Sequence, residues 1–360
     1  MRSKIQKLKN WMKKYNKVLM PASLVLGFII DSLTLNRIDR SFENIVFIVY
    51  LFLAILGIFA FHYLGNKIQK SNFLEKVYIF SPLLIQFMFG GLFSGFAVFY
   101  LRSGSITSSW FFILIILVLM LGNDIFKKKY ENFVFQINVF FIGLFFYLIF
   151  AIPVLLRAIN EWVFILSGVV SLLLVAGVIL LFSYLLKDQV KKSLKYLIPS
   201  IIVFFAFINV LYFVNIIPPI PLSLKSGDVY HNVSKIDGGY LVKYEKSKSV
   251  FSLKDKIHIS PYGTVYAYSA VFAPTKISTS IVHNWQFYNT QTHKWETVSR
   301  VEFPIYGGRE VGYRGYSYKT NVKEGKWRVL VETSRGQIIG KISFKVLHTY
   351  DYLQLYEKVL

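Results

Sequence analysis

The sequence predicts an α-helical polytopic membrane domain of seven transmembrane helices, followed by an all-β, immunoglobulin-like antiparallel sandwich. Three observations lead to this prediction. Seven long apolar runs fill the chain up to Ile217, the loops between them alternate between lysine-rich and lysine-poor, and short alternating stretches follow. The expected order is a basic cytoplasmic N-terminal segment (1–17), the seven-helix domain (18–217), a proline-rich linker (218–225) and an extracytoplasmic β-sandwich domain (226–360).

The seven apolar runs are each close to the ~20 residues that a helix needs to cross a hydrocarbon core of ~30 Å. A helix satisfies its own backbone hydrogen bonds, which allows it to cross lipid. The runs occupy residues 18–35, 45–64, 77–101, 106–125, 133–156, 162–186 and 196–217. We therefore expect seven spans.

Basic residues are distributed unequally between the two sides that these spans would create. The N-terminal segment and every second loop after it carry seventeen lysines and arginines, whereas the other loops carry four. Basic loops remain in the cytoplasm. The N-terminus is therefore predicted to lie inside and residues 218–360 outside.

The net charge of +22 does not require a nucleic-acid partner, and we expect none. Residues 1–217 contribute +13, which the predicted topology explains, and residues 218–360 contribute +9. A basic extracytoplasmic domain favours anionic headgroups or envelope polymers, although solubility charge is the simpler explanation. The absence of cysteine excludes disulfides, thiol catalysis and zinc–thiolate sites.

The composition changes after Ile217. Residues 218–222 contain three prolines and cannot continue a helix, because proline lacks an N–H donor. Beyond them, short stretches rich in β-branched and aromatic residues are separated by Gly, Pro, Asn and Ser, a pattern typical of an antiparallel sandwich. The predicted strands are 239–246, 250–253, 256–259, 264–272, 280–288, 295–303, 315–319, 327–333 and 338–347.

Several motifs in this region carry a family resemblance. They are Val282-His283-Asn284-Trp285, Gly307-Gly308-Arg309, Gly312-Tyr313-Arg314-Gly315-Tyr316-Ser317, Gly325-Lys326-Trp327-Arg328-Val329 and Gly340-Lys341-Ile342-Ser343-Phe344. Together they resemble the bacterial family called domain of unknown function 2914, whose members often place this domain after several membrane spans. The resemblance implies a multi-pass protein of the bacterial cytoplasmic (inner) membrane with a periplasmic C-terminal domain. It implies no mechanism.

Within the predicted spans, Asp31 is the one carboxylate well inside the apolar region. An ionisable group at such a depth is a functional hypothesis by default. Arg37 and Arg102 end spans at the same predicted face, so we expect a polar cluster of Asp31 with Arg37 or Arg102. Such a cluster is either a lock between helices, which we favour, or a substrate or proton site that opens outward.

Residues 218–360 lack the patterns that catalysis or metal binding would require. Their histidines have no His-x-x-x-His spacing, no Gly-x-Ser-x-Gly elbow is present, and carboxylates are few. We therefore expect no enzyme, no catalytic residue, no metal and no cofactor. His283 and the tryptophans Trp285 and Trp327 alternate with polar residues and are expected in the core.

The glycine-rich loop near residue 310 combines arginines with tyrosines. Exposed rings can stack on sugars, and guanidinium groups hold carboxylate or phosphate through two parallel hydrogen bonds. The candidate binding residues are Arg309, Tyr313, Arg314 and Tyr316. The glycines around them could equally serve only a tight turn.

Two classes of function remain open from the sequence. In the first, a non-enzymatic membrane protein of the bacterial envelope uses its helices as an anchor and its sandwich to bind an envelope glycan, a lipid headgroup or a protein partner. In the second, a transporter or lipid-handling membrane protein works around Asp31 at the outer membrane boundary. The expected partners are the lipid bilayer, an anionic envelope glycan or lipid headgroup, and a membrane protein.

Overall fold

The computed structural model of the protein describes most of the chain beyond residue 27. The described residues are 28–35, 40–65, 72–103, 106–125, 132–219, 222–245, 255–274, 277–309 and 311–360. The chain divides into two compact units. The helical unit extends to residue 214, and the β-rich unit begins at residue 215. The predicted N-terminal segment 1–17 lies outside the described residues.

The helical unit contains seven described helical segments. They are α1 (28–34), α2 (Ser41–Gly65), α3 (Asn72–Ser103), α4 (Ile106–Ile125), α5 (Phe133–Leu156), α6 (Glu161–Leu185) and α7 (Lys187–Phe213). Five of them, α2, α3, α5, α6 and α7, are long and apolar enough to cross a membrane. The first predicted span lies mostly outside the described residues, and the fourth shows a shorter apolar helix, Trp110–Leu119. Seven spans therefore remain a prediction.

Helix α5 is buried on all its sides over most of its length. A helix that is apolar all round belongs at the centre of a helical assembly. Its polar side chains bond to neighbouring helices: Gln136 Oε1 lies 2.8 Å from Nε2 of His62 on α2, and Asn138 donates to Ser200 of α7 at 2.7 Å. Such interhelical hydrogen bonds are the role that uncharged polar residues usually play inside membranes.

Helices α2 and α3 approach each other at two glycines. A Cβ atom at Gly91 would stand 2.9 Å from the ring of Tyr50, and one at Gly95 would stand 2.8 Å from the ring of Phe47. Small residues permit such close contact between helices. The spacing of these two glycines thus serves packing.

The β-rich unit contains eleven described strands in three sheets. The strands are β1 (Ser223–Tyr230), β2 (Asn232–Ile236), β3 (Gly239–Tyr244), β4 (Asp255–Ile259), β5 (Val265–Phe272), β6 (Ser278–Asn289), β7 (Lys294–Tyr306), β8 (Tyr313–Lys319), β9 (Gly325–Thr333), β10 (Ile338–His348) and β11 (Tyr356–Val359). The sheet orders are β1-β5-β8, β4-β10-β9-β6-β7 and β11-β3-β2. We call them the middle, five-stranded and third sheets.

The middle sheet is covered on both faces. Along β5, Val265, Ala267 and Val271 belong to a core shared with the five-stranded sheet, including Trp285, whereas Tyr268 and Ala270 belong to a second core shared with the third sheet. Side chains of a strand alternate between its two faces, so β5 supplies both cores. The unit therefore has three layers.

The strands differ from the sequence prediction in three respects. Strand β4 pairs with β10 in parallel, although every other pairing is antiparallel as expected. Strand β1 begins at Ser223, inside the segment predicted as a linker (218–225), and β1, β2 and β11 are all absent from the predicted strands. The predicted strand 250–253 lies outside the described residues. The sequence does not show whether a strand pairs in parallel, and short polar edge strands lack the alternation of apolar and polar residues that predicts a strand.

Gly315 offers a test of the packing between layers. A Cβ atom at this position would collide with the ring of Phe303. Because overpacking a core costs about 1–3 kcal/mol, we expect Gly315→Ala to lower the free energy of unfolding by that amount. The measurement is urea unfolding of the purified full chain, followed by tryptophan fluorescence. Lys319→Ala, on the same strand, is the control and should change stability by less than about 0.5 kcal/mol.

Candidate functional site

The turn between β7 and β8 holds the glycines of the predicted binding loop. The amide of Gly307 donates to the carbonyl of Ile277 at 2.7 Å, and that of Gly308 donates to Ala273 at 3.1 Å. A Cβ atom at Gly307 would overlap the carbonyl oxygen of Pro274. Gly308 and Gly312 both have a left-handed backbone, at φ of 102° and 90°. These glycines allow the turn to lie flat against the β5–β6 connection.

Arg309 and Tyr313 form one half of the predicted site. The guanidinium carbon of Arg309 lies 5.3 Å from the ring centroid of Tyr313, within the range of a cation–π contact. Arg309 is exposed, whereas Tyr313 is half-buried against the core that the middle and five-stranded sheets share. The ring of Tyr306 stands 6.1 Å from that of Tyr313. The guanidinium group of Arg309 is therefore accessible to solvent, and the ring of Tyr313 is accessible in part.

Arg314 and Tyr316 point to the opposite face of β8. Arg314 donates to the carbonyl of Leu360 at 2.8 Å, and its own carbonyl accepts from the hydroxyl of Tyr240 at 3.2 Å. The ring of Tyr316 packs against that of Tyr240 at 5.8 Å. Both residues therefore hold the third sheet against the middle sheet. The structure brings the four candidates together as two separate pairs, and their role in binding remains a prediction.

His283 lies at the centre of a fully buried polar chain. Its Nε2 is 2.7 Å from the hydroxyl oxygen of Ser269, and its Nδ1 is 2.9 Å from that of Ser317. The indole of Trp285 also donates to Ser317 at 2.9 Å. Burial lowers the pKa of His283 to about 4, which keeps the ring neutral. Both ring nitrogens are engaged within the core, as expected for a structural histidine.

A second polar cluster, not expected from the sequence, links three strands through Glu245. One carboxylate oxygen lies 2.8 Å from Nε2 of His231, and the other lies 2.6 Å from Nδ1 of His258. The backbone amide of His258 also donates to Glu245 at 2.7 Å. Burial alone would raise the pKa of Glu245, but these hydrogen bonds outweigh it and lower the pKa to about 2. The three residues share no sequence spacing that could have revealed the cluster.

This cluster and its neighbours provide no ready metal site. Among the residues that the structure describes, no three histidines or carboxylates are arranged to hold a metal ion. In the Glu245 cluster each histidine bonds to a separate carboxylate oxygen. The arrangement ties the junction of β1 and β2, the end of β3 and the strand β4 together.

In the helical unit, Asp31 is buried beside Ser94 of α3. The two side chains are close enough to interact. Even so, neither Oδ2 of Asp31 nor Oγ of Ser94 lies in hydrogen-bonding geometry with a described residue. Arg37 and the side chain of Arg102 lie outside the described part of the chain. The predicted cluster of Asp31 with these arginines therefore stays a prediction.

His283 and Glu245 predict two separate pH windows for stability. An unfolded histidine takes up a proton near its ordinary pKa of 6.5, whereas folded His283 resists protonation until about 4. Stability should therefore fall by about 3 kcal/mol as the pH drops through this window. The depressed pKa of Glu245 contributes stability that is present above 4.5 and lost as the pH falls towards about 2.

Urea unfolding midpoints measured across this pH range check both windows. His283→Gln should remove the loss of stability between pH 6.5 and about 4. Glu245→Gln should remove the loss between pH 4.5 and about 2. Both expectations hold whatever the variants do to stability at neutral pH. If His283→Gln does not fold, NMR titration of the ring in the native chain replaces it, with an expected midpoint near 4. A midpoint near 6.5 would contradict the burial argument.

Two solved structures are similar to parts of this chain at low sequence identity. An immunoglobulin-like protein from Pseudomonas aeruginosa is 10% identical over 35% of this chain and 96% of its own, with a TM-score of 0.20. A β-glucosidase from Listeria innocua is 11% identical over 30% of this chain and 16% of its own, with a TM-score of 0.19. Likeness at this level bears on neither fold nor function. No curated protein matches the chain.

The family resemblance rests on the part of the β-rich unit that runs from β6 to β10. This part contains His283, Trp285 and the glycine-rich turn, which carry the motifs noted in the sequence. Residues 278–346 match the family described as "Protein of unknown function (DUF2914)", which confirms the predicted resemblance over this segment.

Proposed function

We propose that this chain is a multi-pass protein of the bacterial cytoplasmic membrane that presents an immunoglobulin-like β domain outside the cell interior as a binding module. The observation that carries the proposal is the sharp division of the chain. Five helices long and apolar enough to span a bilayer precede a separate β-rich unit with its own cores. The ligand would be an envelope component, namely a glycan, a lipid headgroup or a protein partner.

The surface of the helical unit supports a lipid environment. Large apolar side chains are exposed along α6 and α7, among them Leu173, Leu180 and Ile202. Contiguous apolar surface of this kind is rare on soluble proteins and is what a span presents to lipid. The unequal lysine distribution supports an N-terminus inside and a β domain outside.

The chemistry of the β domain supports binding in preference to catalysis. Its buried histidine, His283, uses both ring nitrogens within the core, and Glu245 uses both oxygens to join strands. A general acid or base must reach a substrate proton, whereas His283 is fully buried and both oxygens of Glu245 are engaged by histidines. Arg309 and Tyr313, by contrast, are placed where an external anion could meet them.

The proposed topology can be tested directly, because the chain contains no cysteine. A single cysteine introduced at Asp237, in the exposed β2–β3 turn, should react with a membrane-impermeant maleimide in intact cells. A cysteine at Lys128 should react only after the membrane is permeabilised. The readout is labelling of the purified protein in each case. The reverse pattern would overturn the proposal.

A second candidate function, transport or lipid handling, is favoured by one observation. Asp31 is buried beside Ser94, with a carboxylate oxygen that lacks a described hydrogen-bond partner. Burying a carboxylate inside a membrane is costly and is often tied to the movement of ions or protons. The simpler explanation is a polar contact that locks α1 to α3, and we favour it.

Asp31→Asn separates these two explanations. If Asp31 locks helices, we expect the variant to accumulate at a lower level and to lose its sharp size-exclusion peak in detergent, because breaking a buried polar contact destabilises the assembly. Ser183→Ala, at a half-exposed position of α6, is the control. Normal abundance, together with a loss of proton flux into pyranine-loaded proteoliposomes, would instead support the transport function.

A further inference from the structure

The five-stranded sheet has a second face, opposite the main core, that carries an unusual arrangement of charge. Trp327, Val329 and Val331 of β9 point into the core, so Lys326 and Arg328 point away from it. We call this surface the outer face. It is formed by alternate residues of β4, β10, β9, β6 and β7.

Three lysines stand side by side across the outer face. Lys345 of β10 is in register with Lys256 of β4 on one side and with Lys326 of β9 on the other. All three side chains are exposed. Neighbouring strands lie about 4.8 Å apart, so these charges are close neighbours. We call the three residues the lysine row.

Two aromatic residues continue the lysine row to the far edge of the sheet. The ammonium group of Lys326 lies 5.5 Å from the ring centroid of Tyr288 on β6. Tyr288 is in register with Trp295 of β7, and their rings are 5.2 Å apart. The line of five side chains therefore crosses all five strands, a distance of roughly 19 Å.

Arg328 lies beside this line, two residues beyond Lys326 on β9 and on the same face. Its guanidinium carbon is 4.3 Å from the ring centroid of Trp295, and its Nε donates to Oε1 of Gln286 at 2.7 Å. Stacking and this hydrogen bond fix the plane of the guanidinium group. Its two terminal nitrogens have no hydrogen-bond partner among the described residues, so together they can hold a carboxylate through two parallel hydrogen bonds.

The lysine row places like charges side by side, and the favourable contact described for it is that of Lys326 with the ring of Tyr288. Like charges directly opposite one another on neighbouring strands are destabilising. Within the described part of the chain, none of the three lysines takes part in an ion pair. Two described carboxylates of this face are Glu332, which is buried and paired with Arg300 at 3.1 Å, and Glu302 of β7, which accepts a hydrogen bond from Ser334 at 2.7 Å. The unbalanced positive charge therefore favours an external anion.

We propose that the outer face binds a linear glycan that carries carboxylate groups. The lysine row would meet successive charges of the polymer, the fork of Arg328 would hold one carboxylate, and the rings of Tyr288 and Trp295 would contact sugar rings. This inference rests on the proposed function, since it names the ligand class and the surface of the binding module.

Two other polyanions fit the outer face less well. A bilayer surface is usually engaged with exposed apolar side chains that insert between headgroups, but on this face Val282 and Leu330 are buried and Leu347 is half-buried. The β domain is proposed to lie outside the cytoplasm, and a nucleic acid is not expected there. Both are nevertheless included as competing ligands in the test.

The test uses the full chain in nanodiscs of phosphatidylcholine, titrated with alginate, a polymer of uronic acids. Lys326→Gln combined with Lys345→Gln should weaken alginate binding about tenfold without lowering the thermal midpoint, because the change relieves repulsion between like charges. Lys235→Gln combined with Lys319→Gln removes the same charge from other strands and should leave the affinity unchanged. Neutral dextran should not bind.

A further variant separates a built site from general charge attraction. Arg328→Lys keeps the charge but loses the planar fork, so it should weaken alginate binding at least threefold. The proposal is overturned if alginate does not bind, if both double variants weaken binding equally, or if dihexanoylphosphatidylglycerol or a single-stranded oligonucleotide binds more tightly than alginate. The maleimide labelling tests where the β domain lies, and the alginate titration tests what it binds. A failure of the proposed function can therefore be told apart from a failure of the glycan-binding proposal.

Discussion

Burial of β5 on both of its faces is the constraint on which the architecture of the β-rich unit depends. Val265, Ala267 and Val271 face one core, and Tyr268 and Ala270 face the other. The middle sheet can therefore offer neither face to a ligand. Arg314 and Tyr316 lie on this sheet, which explains why they hold the third sheet in place. The surfaces left for binding belong to the two outer sheets and the edges.

The same alternation determines the outer face of the five-stranded sheet. A shift of one residue in the pairing of β9 would exchange the environments of Trp327 and Lys326, which burial of the tryptophan forbids. The core thereby decides which positions face outward, but it does not decide their chemistry. Any polar residue would serve at those positions as far as folding is concerned. Lysine on three adjacent strands is thus a property that stability does not explain.

Local pattern explains what the sequence could predict. Continuous apolar runs predicted the five long apolar helices, and alternation predicted the strands from β5 to β10 and the buried positions of Trp285 and Trp327. The parallel pairing of β4 with β10 and the Glu245 cluster depend on residues distant in sequence, so no local pattern reveals them. The four candidate binding residues lie as two separate pairs for a related reason, since neighbours along β8 point to opposite faces.

The polar groups of the two units differ in whether they find a bonding partner inside the protein. This difference separates residues with a structural role from candidates for ligand binding. His283 and Gln136 find their partners inside the protein, so neither needs a ligand to account for it. The lysine row finds no counter-charge within the described residues, although Lys326 contacts the ring of Tyr288, and its mutual repulsion works against the fold. A charge that opposes folding and lacks an internal counter-charge is best explained by something that binds from outside, which makes the outer face a stronger candidate than the glycine-rich turn.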